Sequence, residues 1–544
     1  MKKNPIHSSR GDVAGNDRSR DIPWPALMTL ILGCFMAILD TSIVNVAIPR
    51  LKEVFGTDAA SVQWVATSYL LVSGVVIPIT GYLSDRFGIK RTYIVSLVIF
   101  IAGSGACALA WSNSSLVFAR IIQAVGGGMI IPVSMGMIRI IVPREKMGMA
   151  LGIWGISAMG APAIGPTLGG YLVDRLGWEW IFTINLPIGV AAVFLAWTLL
   201  EETPRRTELK FDLLGFILIA SACCTLLLAL SNGQDKGWTS LYIVNLIIYS
   251  VFAFILFIIW ELTASQPLID IRLLKNRTYI VSILSVSLSN IAMYSVIYLI
   301  PVYAQTARGL TPLQSGLLTM PGALATALMM PVSGRLFDRF GAMPLCIVGF
   351  GVTAYYSYQL HTLSYSTGFT HLQWILVKRS IGLGLAMMPL TTAGMKTIPR
   401  YLASRASALN NLVRQISGSL GIALITHIML NRQVYHAAWL SDTVNWSSYA
   451  ALNTIDILRA FLISSGVSPP LAASGAWEVL GGALNREAFI AAIDDAMLLP
   501  VLAAAMIIPL GMFLSKKAVE KESLRQYSRL APRALKGPGG VHLD

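Results

Sequence analysis

Residues 81–88 read Gly-Tyr-Leu-Ser-Asp-Arg-Phe-Gly, and residues 334–341 read Gly-Arg-Leu-Phe-Asp-Arg-Phe-Gly. Six of the eight positions are identical. Each copy follows a long apolar run, so each stands at the end of a predicted helix. Parallel internal repeats are typical of membrane proteins assembled from two similar halves. The repeat therefore predicts two related halves, one around each copy.

The composition supports a membrane-embedded chain. Of its 544 residues, 55% are hydrophobic and only 12% are charged, and the mean hydropathy is +0.66. A soluble domain carries about 25% charged residues. This chain has too little polar surface to coat a water-soluble globule, which excludes a set of soluble domains.

Apolar runs long enough to cross a bilayer recur along the chain. A transmembrane helix needs roughly 20 apolar residues. The predicted all-α chain has fourteen such spans, so its two termini lie on the same side. The spans are 26–48, 61–83, 93–111, 116–138, 148–172, 181–200, 212–231, 241–262, 279–303, 313–334, 343–361, 374–395, 405–429 and 489–514.

The basic residues orient these spans. The two tails and the turns on their side hold 29 lysines and arginines, whereas the opposite side holds 8. Because lysine and arginine collect in cytoplasmic loops, both termini are predicted to be cytoplasmic, in the inner membrane of a bacterium. The same bias accounts for the net charge of +14 without nucleic acid.

The spans and tails predict six segments. They are a cytoplasmic tail (1–25), a six-helix half (26–200), two inserted spans (201–265), a second six-helix half (266–514), an extracytoplasmic loop within it (431–487), and a cytoplasmic tail (515–544). The loop contains Trp439, Trp446 and Trp477, and its stretch 449–464 is predicted to form an amphipathic helix. A periplasmic adaptor protein is the partner considered for this loop, with a lid on the membrane surface as the alternative.

Asp40 is the only carboxylate predicted deep inside a span. It lies about 21 Å from the cytoplasmic end of span one, where a charge costs at least ~2.5–3 kcal/mol. We interpret it as a proton carrier and Arg120, at a similar depth in span four, as its partner. Gln123 and Asn45 are predicted to extend the polar site. The alternatives are a salt bridge that only holds helices together and an Arg120 that snorkels to the surface.

The repeated turn is interpreted as a gate. Its glycines allow helices to approach closely, and Asp85 or Asp338 can cap a neighbouring helix or pair with an arginine. Such a contact can break when two halves rock. The predicted gating residues are Gly81, Asp85, Arg86, Gly88, Arg91, Gly334, Asp338, Arg339 and Gly341.

Four motifs together resemble the major facilitator superfamily, and more narrowly its fourteen-span drug:proton antiporters of the EmrB/QacA type. The first is the turn, which continues to Lys90-Arg91; the second is Leu39-Asp40-Thr41 with Asn45 in span one. The third is Arg120-Ile-Ile-Gln123-Ala-Val-Gly in span four. The fourth is Gly165-Pro166-Thr-Leu-Gly169-Gly170 in span five, the family's antiporter motif. Ala161 departs from that motif, where glycine is usual.

The resemblance implies a major facilitator fold, two six-helix halves plus two inserted spans. It also implies a proton-coupled antiporter that exports drug-like amphipathic or cationic compounds, driven by the proton motive force without a cofactor. A dedicated exporter of one endogenous metabolite, antibiotic or siderophore is the alternative. In such antiporters the glycines and proline of the span-five motif are read as a seal against leakage.

Substrate contacts are predicted from residue type. Aromatic rings attract cations and methionines adapt to varied shapes, and Arg414 either meets substrate or offsets helix termini. The candidates for a substrate cavity are Trp64, Tyr69, Tyr294, Tyr298, Met320, Met387, Met388 and Arg414. We find no phosphate-binding loop, metal-ligand cluster or catalytic constellation, so an enzyme is not expected. The expected partners are lipid, protons and a small-molecule substrate.

Overall fold

The computed structural model of the chain describes residues 22–143, 146–206, 208–264, 266–444 and 449–534. Within these ranges the protein is almost wholly helical and has no β-strand. Helices dominate because hydrocarbon offers no hydrogen-bond partner, so each backbone amide must be satisfied within its own segment. The all-α membrane fold is confirmed. Most of the predicted N-terminal tail, and Trp446, lie outside the described residues.

Ten helices cover the region before residue 265. They are α1 (Trp24–Phe55), α2 (Ala59–Val76), α3 (Ile79–Phe87), α4 (Ile89–Ala108), α5 (Asn113–Ile141), α6 (Met147–Arg175), α7 (Trp180–Thr183), α8 (Asn185–Leu199), α9 (Leu213–Lys236) and α10 (Leu241–Thr263).

Nine more α-helices follow. They are α11 (Arg277–Val302), α12 (Pro312–Phe340), α13 (Ala342–Gln359), α14 (Phe369–Lys396), α15 (Ala403–Thr443), α16 (Tyr449–Ser464), α17 (Pro469–Ala496), α18 (Leu498–Met512) and α19 (Lys516–Ala534).

The helices account for all fourteen predicted spans. Ten helical segments of the described chain are long and apolar enough to cross a membrane, and two bent pairs bring the number to twelve. The bent pairs are α2 with α3 and the two parts of α6. The remaining predicted spans, 343–361 and 374–395, coincide with α13 and α14. The chain is therefore a multi-pass membrane protein.

Capping boxes fix where two important helices begin. At α5 the Ser112 hydroxyl accepts from Ser115 N (3.2 Å), while the Ser115 hydroxyl accepts from Ser112 N (3.0 Å). At α12, Thr311 and Gln314 make the same reciprocal pair, at 3.2 and 2.9 Å. Such boxes satisfy N–H groups that a helix leaves without partners. They set the register of α5, which carries Arg120, and of α12, which carries the second repeat.

A seam joins the two predicted halves, where α6 packs along α12 and α5 packs against α15. The helices of the seam approach very closely at the end of the bundle that carries the two repeated turns, called here the loop-motif end. A Cβ atom on Gly334 would lie 2.1 Å from the carbonyl oxygen of Gly148. Only glycine permits this approach of α12 to α6. The division into halves at the predicted boundaries stays a prediction.

The two inserted spans form a hairpin beside this seam. Helix α10 packs mainly on α9, and α9 packs on both α2 and α15. Helix α10 presents most of its apolar side chains outward, as expected of a lipid-facing helix.

The predicted loop 431–487 is largely helical rather than irregular. Helix α15 continues well past the predicted span end at 429, and α17 begins at Pro469 and runs into the last span. Helix α16 occupies the predicted stretch 449–464 and packs on α17. The extended helices are tied together by Asp495, which accepts from Arg432 (2.5 Å) and His436 (2.8 Å). The C-terminal tail begins with α19, and residues 535–544 lie outside the described ranges.

Candidate functional site

Asp40 and Arg120 form a buried ion pair between α1 and α5. The Arg120 Nη1 donates to Asp40 Oδ2 at 2.6 Å. Their side chains are 0% and 1% exposed, respectively. Asp40 and Arg120 therefore lie at the same depth, as predicted. The snorkelling alternative for Arg120 is wrong.

Arg120 is held by further contacts on three sides. Its Nη1 donates to Gln123 Oε1 (2.6 Å) and its Nε to the Val65 carbonyl (3.3 Å). The guanidinium carbon lies 4.2 Å from the centroid of the Tyr69 ring, a cation–π contact. These contacts fix the cation whether or not Asp40 carries its charge.

The second oxygen of Asp40 accepts two amide hydrogen bonds. Gln123 Nε2 and Asn185 Nδ2 both donate to Oδ1 at 2.8 Å. The Ser104 hydroxyl accepts from the same two amides, at 2.6 and 3.0 Å. Side chains from α1, α4, α5 and α8 thus converge on one carboxylate.

The contacts of Asp40 would differ between a charged and a protonated form. Charged, it is compensated by one guanidinium and two amide donors. Protonated, it no longer attracts Arg120, and breaking a buried pair leaves the remaining charge without compensation. A proton taken up here therefore changes the energetics of contacts that join four helices.

Asn45 is not part of this network, so its predicted role at the polar site is wrong. Its side chain is exposed on α1. It lies five residues after Asp40, which at 100° per residue places it well round the helix from the acid. The amide that completes the site is instead Asn185, with Ser104 beside it. Neither was predicted as a site residue.

At the loop-motif end, the first repeated turn is latched to the other predicted half. Arg405 of α15 donates to Asp85 Oδ2 at 3.2 Å. A Cβ atom on Gly81 would lie 3.2 Å from the Arg405 Cα, so the two backbones almost touch. The predicted pairing of Asp85 with an arginine is present, across the seam.

The second repeated turn makes the other contact that the sequence predicted. Asp338 accepts from the backbone N–H groups of Gly148 and Met149, both at 3.2 Å, at the start of α6. Lys396 also donates to it, at 3.3 Å. A carboxylate at a helix N-terminus is stabilised by the unpaired N–H groups and the helix dipole. Asp338 thus caps a helix of the opposite half.

The other gating residues divide into turn and anchor positions. Gly88 and Gly341 have φ of +94° and +82°, which favour glycine. Arg86 Nη1 donates to the Leu209 carbonyl (2.6 Å), so it holds the connection after α8. Arg339 instead lies over the Phe340 ring, 5.1 Å from its centroid.

The connection after α8 is bonded to the first turn. Glu202 accepts from the backbone N–H groups of Lys90 (3.1 Å) and Arg91 (3.2 Å) at the start of α4. Its carboxylate also lies 3.9 Å from the Arg91 guanidinium. Arg206 N donates to the Asp85 carbonyl at 2.9 Å. These contacts were not predicted, because Glu202 and Arg206 lie in a short polar linker.

The antiporter-motif residues lie in the bent part of α6. The two parts of α6 meet at 41° near Pro162. A Cβ atom on Gly165 would lie 2.3 Å from the Ser42 hydroxyl, and one on Gly169 would lie 3.1 Å from Ile43. Helix α6 is therefore bent, and it packs closely against α1 at these glycines.

The same motif has two residues that do not follow this pattern. Gly170 has open space where its Cβ atom would be. Pro166 faces the other half instead of α1, 3.8 Å from the Cβ position of Gly316.

The predicted substrate residues do not form one cluster. Met387 and Met388 are 5% and 3% exposed within the main apolar core, so in this structure they pack rather than line a cavity. Tyr69 belongs to the Arg120 contacts described above. Trp64 is exposed on α2, while Met320 is partly buried on α12.

The remaining candidates lie on α11 and α15. Tyr298 packs at the edge of a second apolar cluster. The ring of Tyr294 lies 3.0 Å from the Cβ position of Gly418, so α11 and α15 touch there. Tyr294 is also an electrostatic neighbour of the half-buried Arg414.

The second half contains a related arginine without an acid. Arg379 of α14 is 3% exposed; it donates to the Ser357 hydroxyl (2.9 Å) and the Ala292 carbonyl (2.8 Å). Ser357 follows Ser104 by the same interval as Gly334 follows Gly81. In the described part of the chain no carboxylate pairs with Arg379. Ser357 bonds to Arg379, whereas Ser104 bonds to the amides of Gln123 and Asn185. Of the two buried arginines, only Arg120 pairs with a carboxylate in the described residues.

Comparisons with known proteins agree with this architecture. The Major Facilitator Superfamily model matches residues 30–422. The uncharacterized MFS-type transporter YhcA of Bacillus subtilis (strain 168) is 34% identical over 527 residues, 97% of this chain and 99% of YhcA. Multidrug export protein EmrB of Escherichia coli (strain K12) is 32% identical over 421 residues, 77% of this chain and 82% of EmrB. A structure of the proton:xylose symporter XylE covers 89% of this chain and 94% of XylE, with 16% identity and a TM-score of 0.54.

Proposed function

Because the chain belongs to the major facilitator superfamily, we propose that it is a proton-coupled antiporter that exports drug-like amphipathic compounds. The observation that carries the proposal is the ion pair of Asp40 and Arg120, which is buried and made by helices α1 and α5. An ionisable residue inside a membrane is expensive and marks a transport pathway or a proton relay. The multidrug export activity in the name of the relative EmrB supports the direction of transport.

The proposed cycle uses Asp40 as the proton carrier. In one state the charged carboxylate pairs with Arg120. A proton that enters from outside neutralises Asp40. The contacts that join α1 to α4, α5 and α8 through this carboxylate then change in strength. A change in the relative stability of two arrangements is sufficient to shift their populations. Release of the proton on the inner side restores the pair.

The described arrangement corresponds, in this proposal, to the state closed towards the cytoplasm. Both latches at the loop-motif end are made: Asp85 with Arg405, and Asp338 with the start of α6. The bias of basic residues assigns this end to the cytoplasm of a bacterium, with both termini there. The opening step must break both latches.

The difference between the halves supports a stoichiometry of one proton per cycle in this proposal. Arg120 faces a carboxylate, whereas Arg379 is satisfied by a hydroxyl and a backbone carbonyl. The carboxylates buried elsewhere in the described spans lie close to helix ends. Glu261, for example, accepts from Ile269 N (2.9 Å) near the end of α10.

The segment 431–487 is proposed as the place where a periplasmic adaptor would bind. Its helices α16 and α17 present exposed apolar side chains, among them Phe461 and Leu471. Deletion of 445–468, with a flexible bridge in its place, tests this. Co-purification of an adaptor with the full chain but not with the deletion is the expected result. A lid on the membrane surface predicts no difference.

The function is tested by transport in proteoliposomes with an imposed pH gradient. The purified chain should move a drug-like dye against its concentration gradient, and a protonophore should abolish this. Dye transport should also drive a measurable proton flux in the opposite direction. Dye movement that is only downhill, with no proton flux, would remove antiport from consideration.

A further inference from the structure

Arg414 lies on the stripe of α15 that faces the first half. Ser407, Asn411 and Arg414 follow each other at intervals of four and three residues, which places them on one face of the helix. The Ser407 hydroxyl donates to the Pro132 carbonyl of α5 at 2.7 Å. Asn411 Nδ2 approaches the Met135 sulfur at 3.7 Å. Arg414 is therefore directed across the same seam, one turn beyond the contacts that close it.

In the described part of the chain, no acidic side chain pairs with Arg414. The polar groups near it are the Tyr294 phenol of α11 and the Cys34 thiol of α1, one from each half. Cys34 is itself bonded within the first half, to Ser134 at 2.9 Å. Across the described residues, Arg414 has neither an ion pair nor a hydrogen bond. This distinguishes it from Arg120 and Arg405, which each meet a carboxylate.

A buried amide lies one helical turn from this cation. Asn410 precedes Arg414 by one turn of α15; it is 2% exposed, and its Oδ1 has no hydrogen-bond partner. A buried polar group without a partner is destabilising. The atom without a partner is an acceptor oxygen, so a ligand that carries a hydrogen-bond donor beside its acidic group would satisfy it.

We propose that Arg414 binds an acidic group of the transported compound, such as a carboxylate or a sulfonate. The side-chain amide of Asn410 would supply an additional donor. The proposal deepens the function given above and rests on it, because it narrows the substrate class to amphipathic acids. A half-buried cation without a counter-ion attracts an anion and repels a cationic drug. A guanidinium also matches the planar, two-oxygen geometry of a carboxylate.

The test uses two dyes that differ by one charge. Rhodamine B carries a free carboxylate, and its ethyl ester has the same ring system without that negative charge. Binding to the purified full-length protein in detergent is measured by fluorescence anisotropy at neutral pH. We expect the wild-type protein to bind rhodamine B about tenfold more tightly than the ester.

Substitutions at Arg414 then identify the residue responsible. Arg414→Gln should weaken rhodamine B binding about tenfold and leave ester binding within about twofold. Arg414→Lys, which keeps the charge, should retain a reduced preference for rhodamine B. Lys378→Gln is the matched control, because Lys378 is an exposed cation on α14, and it should bind both dyes like the wild type.

Two results would overturn the inference. One is a wild-type protein that binds the ester as tightly as rhodamine B, and this needs no variant to fold. The other is an equal loss of both dyes in Arg414→Gln with a normal elution profile. Because binding is measured without a gradient, these results are independent of proton coupling. A failure of antiport would appear in the transport assay and leave the dye preference intact.

Discussion

Asp338, near the end of α12, accepts a hydrogen bond from the backbone N–H of Gly148, at the start of α6, at 3.2 Å. The two residues belong to different predicted halves, so this bond closes the bundle across its seam. It is accompanied by a glycine contact, because Gly334 and Gly148 leave no room for a Cβ atom. Charge and close packing thus act at one place.

Asp338→Ala should open the loop-motif end more often. A hydrogen bond to a charged group contributes about 1.5–3 kcal/mol, so the ratio of closed to open protein should fall roughly tenfold or more. The measurement is maleimide labelling of a cysteine placed at Ser404, which lies buried on the seam, in a chain without its native cysteines. Asp235→Ala, at an exposed position near the end of α9, is the control. Equal labelling of the two variants would contradict the latch.

Gly334→Ala should impair transport by steric exclusion. Its methyl group would lie 2.1 Å from the Gly148 carbonyl oxygen, so α12 must move away from α6. The expected result is a several-fold loss of proton-driven dye transport, together with increased labelling at the seam. Gly351→Ala is the matched change, because Gly351 is also helical and has open space at its Cβ position. It should transport normally, and a similar loss there would remove the steric explanation.

Asp40→Asn should abolish proton-driven transport. The amide keeps the shape of the carboxylate but cannot take up a proton, and loss of an essential acid–base group typically costs about 100-fold or more. Transport is followed in proteoliposomes, and folding by the elution profile in detergent. Asp58→Asn is the control, because asparagine caps a helix as well as aspartate does and Asp58 caps α2. Active transport in Asp40→Asn would remove the ion pair from the mechanism.

Asn185→Ala should weaken transport less than Asp40→Asn does. It removes one of the donors to Asp40 Oδ1 and leaves Arg120 and Gln123 in place. A lost hydrogen bond to a charged group corresponds to about 1.5–3 kcal/mol, so roughly a tenfold reduction in rate is expected. Asn232→Ala is the control, since Asn232 bonds only to a carbonyl of its own helix. An unchanged rate in Asn185→Ala would show that Asn185 is not a positioning residue for Asp40.

The sequence predicted the helices and the ion pair because both depend on local quantities. Apolar run length determines the spans, and position within a span placed Asp40 and Arg120 at one depth. The partner of Asp85 was predicted by type only, because Arg405 is remote along the chain. The same limit applies to Asn185, which reaches Asp40 through helix packing.

The errors have a similar cause. Asn45 is close to Asp40 in sequence, but the turn of α1 carries it away from the site. Met387 and Met388 have the composition of a binding surface, yet the packing of α14 buries them. Residue type indicates what a side chain is able to do, and only the packed helices determine what it meets.

The hairpin of α9 and α10 contacts both halves of the bundle through α9. Helix α9 contacts α2 of the first half and α15 of the second, so it spans the seam. When one half rocks against the other, α9 must therefore slide along at least one of these helices. The segment that leads into α9 is also hydrogen-bonded to the first repeated turn, because Arg206 N donates to the Asp85 carbonyl. Bilayer thickness and lipid fluidity act directly on such an outer hairpin. They should therefore determine the rate of the conformational cycle.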